Sequence, residues 1–349
     1  MAYTVQRVDF VEYKDLLLSL WQRNFQGVNP GRFSWIYEKN PNGPPVVYLL
    51  KHEESQSFVG TMALFPRPML YKGQLIRAYI CGDMAVDSQH RSLGPALSLL
   101  KAALKQCDKE DPCMLVSFPN NKSEPLTLRL GYKVLGGNCE LVKVLKTRKY
   151  ILRHCNSPNL ATFLSWPLDA LLRWRYETLI GLRARKYSYE LLAQFDARFD
   201  PLWEGLKNAC FLIGERKCDY LNWRVKESPY GDCRIFSIFE KQNRKICGYV
   251  AFHYGDSRAS IIDMAFIGEI VNFKMLFFLF SKYIITHGAD SVSISIVGGS
   301  NLFLEFKNIG FSSRIVKNKA VIYTSFENDI FEKIILDKYW YMTSIDNDI

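Results

Sequence analysis

The sequence predicts a mixed α/β (α+β) protein made of two copies of one unit. Three observations predict it: the length, an ordered internal repeat, and strand-like and helix-like runs that follow the same order in each copy. At 349 residues the chain is long for one core, and about two domains is the ordinary expectation. Hydrophobic residues make up 48% and charged residues 23%, a globular composition that argues against disorder.

The repeat is read by laying the chain on itself. Trp35, Pro41, Gly43 and Gly60 meet Trp223, Pro229, Gly231 and Gly248 at one constant offset. At slightly shorter offsets, such as loop deletions produce, Asp83-Met84-Ala85 meets Asp263-Met264-Ala265 and Gly131-Tyr132 meets Gly310-Phe311. Chance supplies one such match, not an ordered series. Each copy opens with a helical stretch. Paired strand-like runs follow, VVYLL (46–50) against IFSIF (235–239) and FVGTMALF (58–65) against ICGYVAFH (246–253). Next comes a helix: Pro95–Cys107, with Leu97, Leu100, Ala103, Leu104 and Cys107 on one face, and Val271–Thr286. Strands LVSF (115–118) and VSISIV (292–297) come after it, then a short helix and a final strand. The units are placed at 1–145 and 196–325, with a C-terminal tail over 326–349.

The stretch 146–195 has no counterpart. Within it, 148–187 hold Arg148, Lys149, Arg153, Arg173, Arg175, Arg183, Arg185 and Lys186 against Asp169 and Glu177. It reads as a basic helical connector packed on both units. Over 160–187 it also has the character of an amphipathic helix that rests on an anionic membrane or grips a partner.

A net charge of +10 favours anionic partners, such as a phosphorylated cofactor, a nucleic acid or an acidic membrane, without choosing among them. The basic residues are spread out and no DNA- or RNA-binding motif occurs, so no nucleic acid is expected. The start, MAYTVQRVDFVEYKD, lacks the apolar core of a signal peptide, and the longest apolar run, Met275–Phe280, is too short to span a bilayer. Nine scattered cysteines without a CxxC pair suit reduced thiols in the cytoplasm, and five dispersed histidines give no metal site.

The segment ICGDMAVDSQHRSLGPALSLLKAAL sets an apolar strand, a polar turn and an amphipathic helix in sequence. Its junction is Arg91-Ser92-Leu93-Gly94-Pro95-Ala96. Gly94 allows close backbone approach, Ala96 keeps the first turn small, and Pro95 is at home where its missing N–H is least needed. The N–H groups opening a helix lack partners, and with the dipole they suit a phosphate.

This junction resembles the acetyl-CoA signature of the GNAT acyltransferases: a strand ending in Val, then Arg or Gln followed by x-x-Gly-x-Gly/Ala, here Val86, Arg91, Gly94 and Ala96. A second signature of that family, an Asn ahead of a Gly-aromatic pair, matches Asn120 and Gly131-Tyr132. The resemblance implies two GNAT-like domains, each a mixed, mostly antiparallel twisted sheet flanked by helices. It also implies acetyl-CoA or another acyl-CoA as co-substrate: Met84, Ala85 and Val86 line the thioester, residues 91–96 hold the pyrophosphate, and Asn120 lies near the pantetheine arm. An amine of an amino sugar, a peptide or a small metabolite attacks directly. Two departures stand out, Thr127 where many relatives carry an acidic Tyr, and Pro95 in the turn.

A general base must take a proton from the attacking ammonium. Asp83, on the strand leading into the turn, is the nearest carboxylate, although Asp263 holds the same place in the copy that lacks the turn. Cys81, His90 and Tyr132 are weaker candidates, each also readable as a core thiol, a solvated turn residue and a core aromatic. The second copy, with FIGEIVNFKMLFF after its Asp-Met-Ala, is expected to shape an acceptor pocket at the interface instead of binding CoA. The alternatives are a FemAB-like transferase using aminoacyl-tRNA and a non-catalytic GNAT-fold binding protein.

Overall fold

The computed structural model describes residues 2–347 apart from 72, 153, 156, 210–211, 269, 299, 327–331, 333 and 335–339, with backbone alone at 93, 171–183, 208–209, 270–271 and 315–317. The expected tail over 326–349 therefore lies partly outside the described residues, as do the side chains of half the basic residues named in the connector. The first half opens with β1 (Tyr3–Val8), α1 (Lys14–Asn24) and one π-helical turn over Ser34–Glu38. β2 (Val46–His52) and β3 (Ser57–Pro66) form an antiparallel hairpin, and β4 (Met69–Tyr71) turns into the long β5 (Gln74–Val86). α2 (Leu93–Lys109) then crosses the sheet to β6 (Cys113–Ser117), which pairs parallel with β5. α3 (Glu124–Arg129) and β7 (Lys133–Val144) close the half. The buried stripe of α2 is Leu99, Leu100, Ala103 and Cys107. Leu97 and Leu104 are only half-buried, because the helix is rolled so that Leu99 meets the sheet.

α4 (Arg148–Leu152) and α5 (Pro158–Ala184) occupy the stretch read as a connector, and Phe163 and Trp166 stand exposed on α5. That stretch ends in β8 (Tyr187–Leu192), an edge strand on β10 (Arg234–Glu240), just as β1 is an edge strand on β2. YSYELL and YTVQRV share too few residues for self-comparison to pair them. Between β8 and β10 lie α6 (Asp200–Ala209), β9 (Leu212–Gly214), α7 (Cys218–Leu221) and a second π-helical turn over Asn222–Lys226. β11 (Ile246–Gly255), β12 (Arg258–Phe266), α8 (Ile270–Thr286), β13 (Ser291–Val297), α9 (Asn301–Asn308), β14 (Ser312–Thr324) and β15 (Trp340–Tyr341) follow. Among the described residues no helix is long and apolar enough to cross a membrane.

The main sheet is mixed and mostly antiparallel, in the order β1-β2-β3-β5-β6-β14-β7-β13-β12-β11-β10-β8. Read from either end the order matches, β1 with β8, β2 with β10, β3 with β11, β5 with β12 and β6 with β13. At the centre the closing strands have changed places: β14 pairs with β6, and β7 with β13. The sheet therefore continues through the middle with no edge exposed there.

The residues matched in sequence sit on this symmetry. The Trp35 indole N–H donates to the Trp223 carbonyl and the Trp223 indole to the Trp35 carbonyl, both at 2.8 Å, with the rings 5.3 Å apart. A residue and its counterpart exchanging one bond mark an approximate two-fold axis between them. A Cβ on Gly60 would stand 2.8 Å from the Ala85 carbonyl oxygen, and one on Gly248 2.7 Å from that of Ala265, so only glycine fits either crossing.

The C-terminal segment breaks the symmetry. β12 pairs with β13 only from Arg258 to Ile261, then runs on to Phe266 paired with β11 alone. Into that opening comes the segment around β15: the Val297 N–H donates to the Met342 carbonyl, Thr343 bridges Ile296, and the Tyr341 hydroxyl donates to the Met264 carbonyl. Beyond it, Asp346 pairs with Arg67 and Arg216, and Arg216 with Asp263, a fully buried chain of two acids and two guanidinium groups. Buried ions persist only when paired, as here.

Candidate active site

In the first half no described strand enters the corresponding opening. β5 pairs with β6 from Arg77 to Cys81 and stops, while β5 itself runs on to Val86 along β3. Opposite β3 the register slips, Thr61 facing Ala85 but Ala63 facing Gly82, so Asp83 and Met84 share the space of one residue. This is a β-bulge, and Asp83 takes a positive φ of 51° to make it. Bulges bend and twist a strand, which here separates β5 from β6. On the side facing β6, Gly82–Val86 have no strand partner among the described residues.

The turn follows directly. Ser88–His90 form a 3-10 turn, and Ser92 precedes α2 in extended conformation without a side-chain bond to the helix N-terminus. Gly94 is exposed, and a Cβ there would meet nothing within 4 Å. Pro95 is buried under the turn and Ala96 half-buried, while the Leu93 side chain lies outside the described residues. An uncapped helix of this length, with an open glycine in its first turn, has the geometry of an anion site.

Arg91 does not point away from the turn. Its Nε donates to the Val86 carbonyl at 2.9 Å and its Nη2 to Asn24 Oδ1 at 3.1 Å. Asn24 in turn donates to Asp87 Oδ1 at 2.7 Å, and Arg23 pairs with Asp87 at 3.0 Å. The end of α1 thus braces the turn through Arg23 and Asn24, two residues that sequence reasoning missed. They lie more than 60 positions away, and no local motif announces them.

Asn120 caps the turn into α3: its Oδ1 accepts the N–H groups of Lys122 and Ser123. It stands exposed, leaving its amide nitrogen for other partners. Thr127 is buried and donates to the Glu124 carbonyl. Tyr132 is buried with its hydroxyl 3.7 Å from Cys81 Sγ, and burial with the adjacent thiol pushes that hydroxyl's pKa well up. His90 ends the 3-10 turn, its Nδ1 3.1 Å from the Tyr3 hydroxyl. Thr127 and Tyr132 are buried, and it is Gly82–Val86 of β5 that borders the opening.

Asp83 does stand there, with both oxygens occupied. Oδ1 pairs with Arg32 Nη2 at 2.8 Å, and Oδ2 accepts from Arg32 Nη1 and the Tyr37 hydroxyl, each at 2.9 Å. Burial opposes the Arg32 charge, but Asp83 outweighs it and the guanidinium pKa is raised. Burial and Asp83 also push the Tyr37 hydroxyl far above its ordinary range. In the second half Asp263 is held the same way, by Arg216 and the Tyr249 hydroxyl. A bidentate pair made in both halves is a scaffold contact.

This geometry agrees with comparisons to known proteins. Residues 11–135 match the family model of an acetyltransferase (GNAT) domain. No curated protein matches the chain by sequence. Among solved structures, a probable N-acyltransferase from Enterococcus faecalis is 12% identical with a TM-score of 0.65, covering 93% of this chain and 73% of that one. A GCN5-related N-acetyltransferase from Anabaena variabilis gives 14% identity, a TM-score of 0.64 and the same coverage, 93% and 73%. The N-myristoyltransferase of Saccharomyces cerevisiae, solved with bound myristoyl-CoA, gives 11% and 0.54 over 93% of this chain and 83% of its own. The fold is GNAT-like, and the opening and the turn both fall inside the matched GNAT segment. Among the described residues no cluster of His, Cys, Asp and Glu has the geometry of a metal site.

Proposed function

We propose that the chain is an acyltransferase that takes its acyl group from acyl-CoA and delivers it to an amine. One observation carries this reading: β5 leaves β6 open directly beside the uncapped start of α2. An extended pantetheine arm has amide groups spaced to bond the free edge of β5, as an added strand does. Its pyrophosphate is then received by the N–H groups of the 91–96 turn. The thioester falls at Met84–Val86, where backbone donors without a strand partner stand ready for the oxyanion of the tetrahedral intermediate.

The amine nitrogen attacks the thioester carbonyl, the C–S bond breaks, and CoA leaves as the thiol while the new amide forms. In this reading Asp83 is not a free base. With Arg32 and Tyr37 it fixes the bulge that opens the strand, and its negative charge is already neutralised. With Thr127 and Tyr132 buried, water in the opening takes the proton that the amine nitrogen loses and delivers one to the leaving thiolate. The chain reads as a tandem of two GNAT-like units with exchanged last strands, in which the second unit, its opening filled by its own tail, takes no CoA. The yeast neighbour's bound myristoyl-CoA supports the cofactor class.

Thiol release from acetyl-CoA, on addition of sugar, peptide and alkyl amines in turn, tests the reaction. Release that depends on the amine, with the acylated amine recovered, is expected. No release with any amine, for acyl chains from acetyl to myristoyl, counts against it.

A further inference from the structure

We infer that the acceptor binds in the cleft bounded by Tyr230, His253, Tyr254, Asp256, Ser260 and Arg314, and that it is a hydroxyl-rich cationic amine. This rests on the acyl-transfer reading above. It starts from the two-fold axis between Trp35 and Trp223. In the second half the C-terminal segment threads the opening between β12 and β13, and Ile345 and Asn347 end it against Phe65, Pro66, Arg67 and Ile80. The space left there is about 20 Å³. Phe65 pairs in register with Ile80, and the corresponding pair across the axis is His253 with Ser260. A ligand continuing from the first opening, as the segment continues from the second, therefore arrives at His253 and Ser260. No described residue fills that place, and the cleft measures about 830 Å³. Ligand sites of a few hundred to about a thousand Å³ hold molecules well beyond a simple alkylamine.

The cleft also reaches the thioester end. Tyr230, on its wall, lies edge-on to Trp35 with ring centres 6.1 Å apart. Burial pushes the Tyr230 hydroxyl's pKa up, and both Arg32 and Asp83 are close enough to bear on it.

The chemistry of the walls selects the ligand. In a chain of net charge +10, this cleft carries four carboxylates against three cationic side chains. Lys149 is paired with Asp290, and Arg258 with Glu140. Asp256 has no ion-pair partner among the described residues, and Asp232 meets only Lys226, from outside the cleft. An ammonium group is attracted by these acids and by the faces of the tyrosines. Serine and tyrosine hydroxyls around them both donate and accept, which suits a ligand rich in hydroxyl groups.

The test is calorimetric titration of the CoA-saturated protein with glucosamine, n-butylamine and glutamate. Glucosamine is expected to bind at least about tenfold more tightly than either of the others. The Asp232→Asn/Asp256→Asn double variant, altered at exposed positions, is expected to weaken glucosamine about tenfold and leave CoA affinity unchanged. Equal binding of n-butylamine, tighter binding of glutamate, no binding of glucosamine, or an unaffected double variant overturns the inference. Failure of CoA itself to bind the wild-type protein is a separate result, which removes the acyl-transfer reading and this inference with it.

Discussion

Asp83 was legible in the sequence as a matched residue, but its task was not, because Arg32 and Tyr37 are brought to it only by folding. Its carboxylate compensates a guanidinium that is itself buried. Asp83→Asn is expected to cost about 3–5 kcal/mol, as loss of one partner of a buried pair does, read as a lower urea midpoint. A free base at this position predicts the opposite pattern, unchanged stability with a lower kcat. Asp346 makes a pH-dependent contribution. Burial opposes its charge, but Arg216 and Arg67 outweigh burial and hold its pKa below the ordinary 3.8. A depressed carboxyl stabilises fully above its unfolded value and loses that contribution as pH falls through the lower folded one. Stability is expected to drop in acid below about pH 4, and Asp346→Asn to be weaker at neutral pH with a shallower drop, both measured by urea unfolding.

The turn was readable because strand, polar junction and helix face are all local: Val86, Arg91, Gly94 and Ala96 need only one another's spacing. The bulge beside it was not, since nothing in QLIRAYICGDMAV marks where two residues share one place on β3. The exchange of β7 and β14 was equally hidden, because either closing strand has the alternation to pair with either half. Gly60 and Gly248 are where sequence and element meet, matched in the repeat and each pressed against a carbonyl of the neighbouring strand in the sheet. Gly60→Ala and Gly248→Ala are each expected to lower stability by about 1–3 kcal/mol, whereas Gly94→Ala, facing open space, stays close to neutral in the same thermal unfolding experiment.

At the scale of the molecule, two halves of like topology have become unlike at one place. The opening in the second half is filled by Tyr341–Thr343, while among the described residues no strand enters its counterpart beside α2. In the proposed reading that asymmetry assigns the cofactor to the first half, and the sequence carries its outline in a turn that the second half lacks. The filling itself was not visible, because the segment that does it lies outside the repeat. Titration of acetyl-CoA by calorimetry, on the wild-type protein and on Gly94→Trp, tests the assignment most directly. The expected result is one equivalent bound per chain, weakened at least about tenfold by the indole set into the open first turn of α2. No binding to the wild-type protein, two equivalents per chain, or an unchanged affinity in the variant would contradict it.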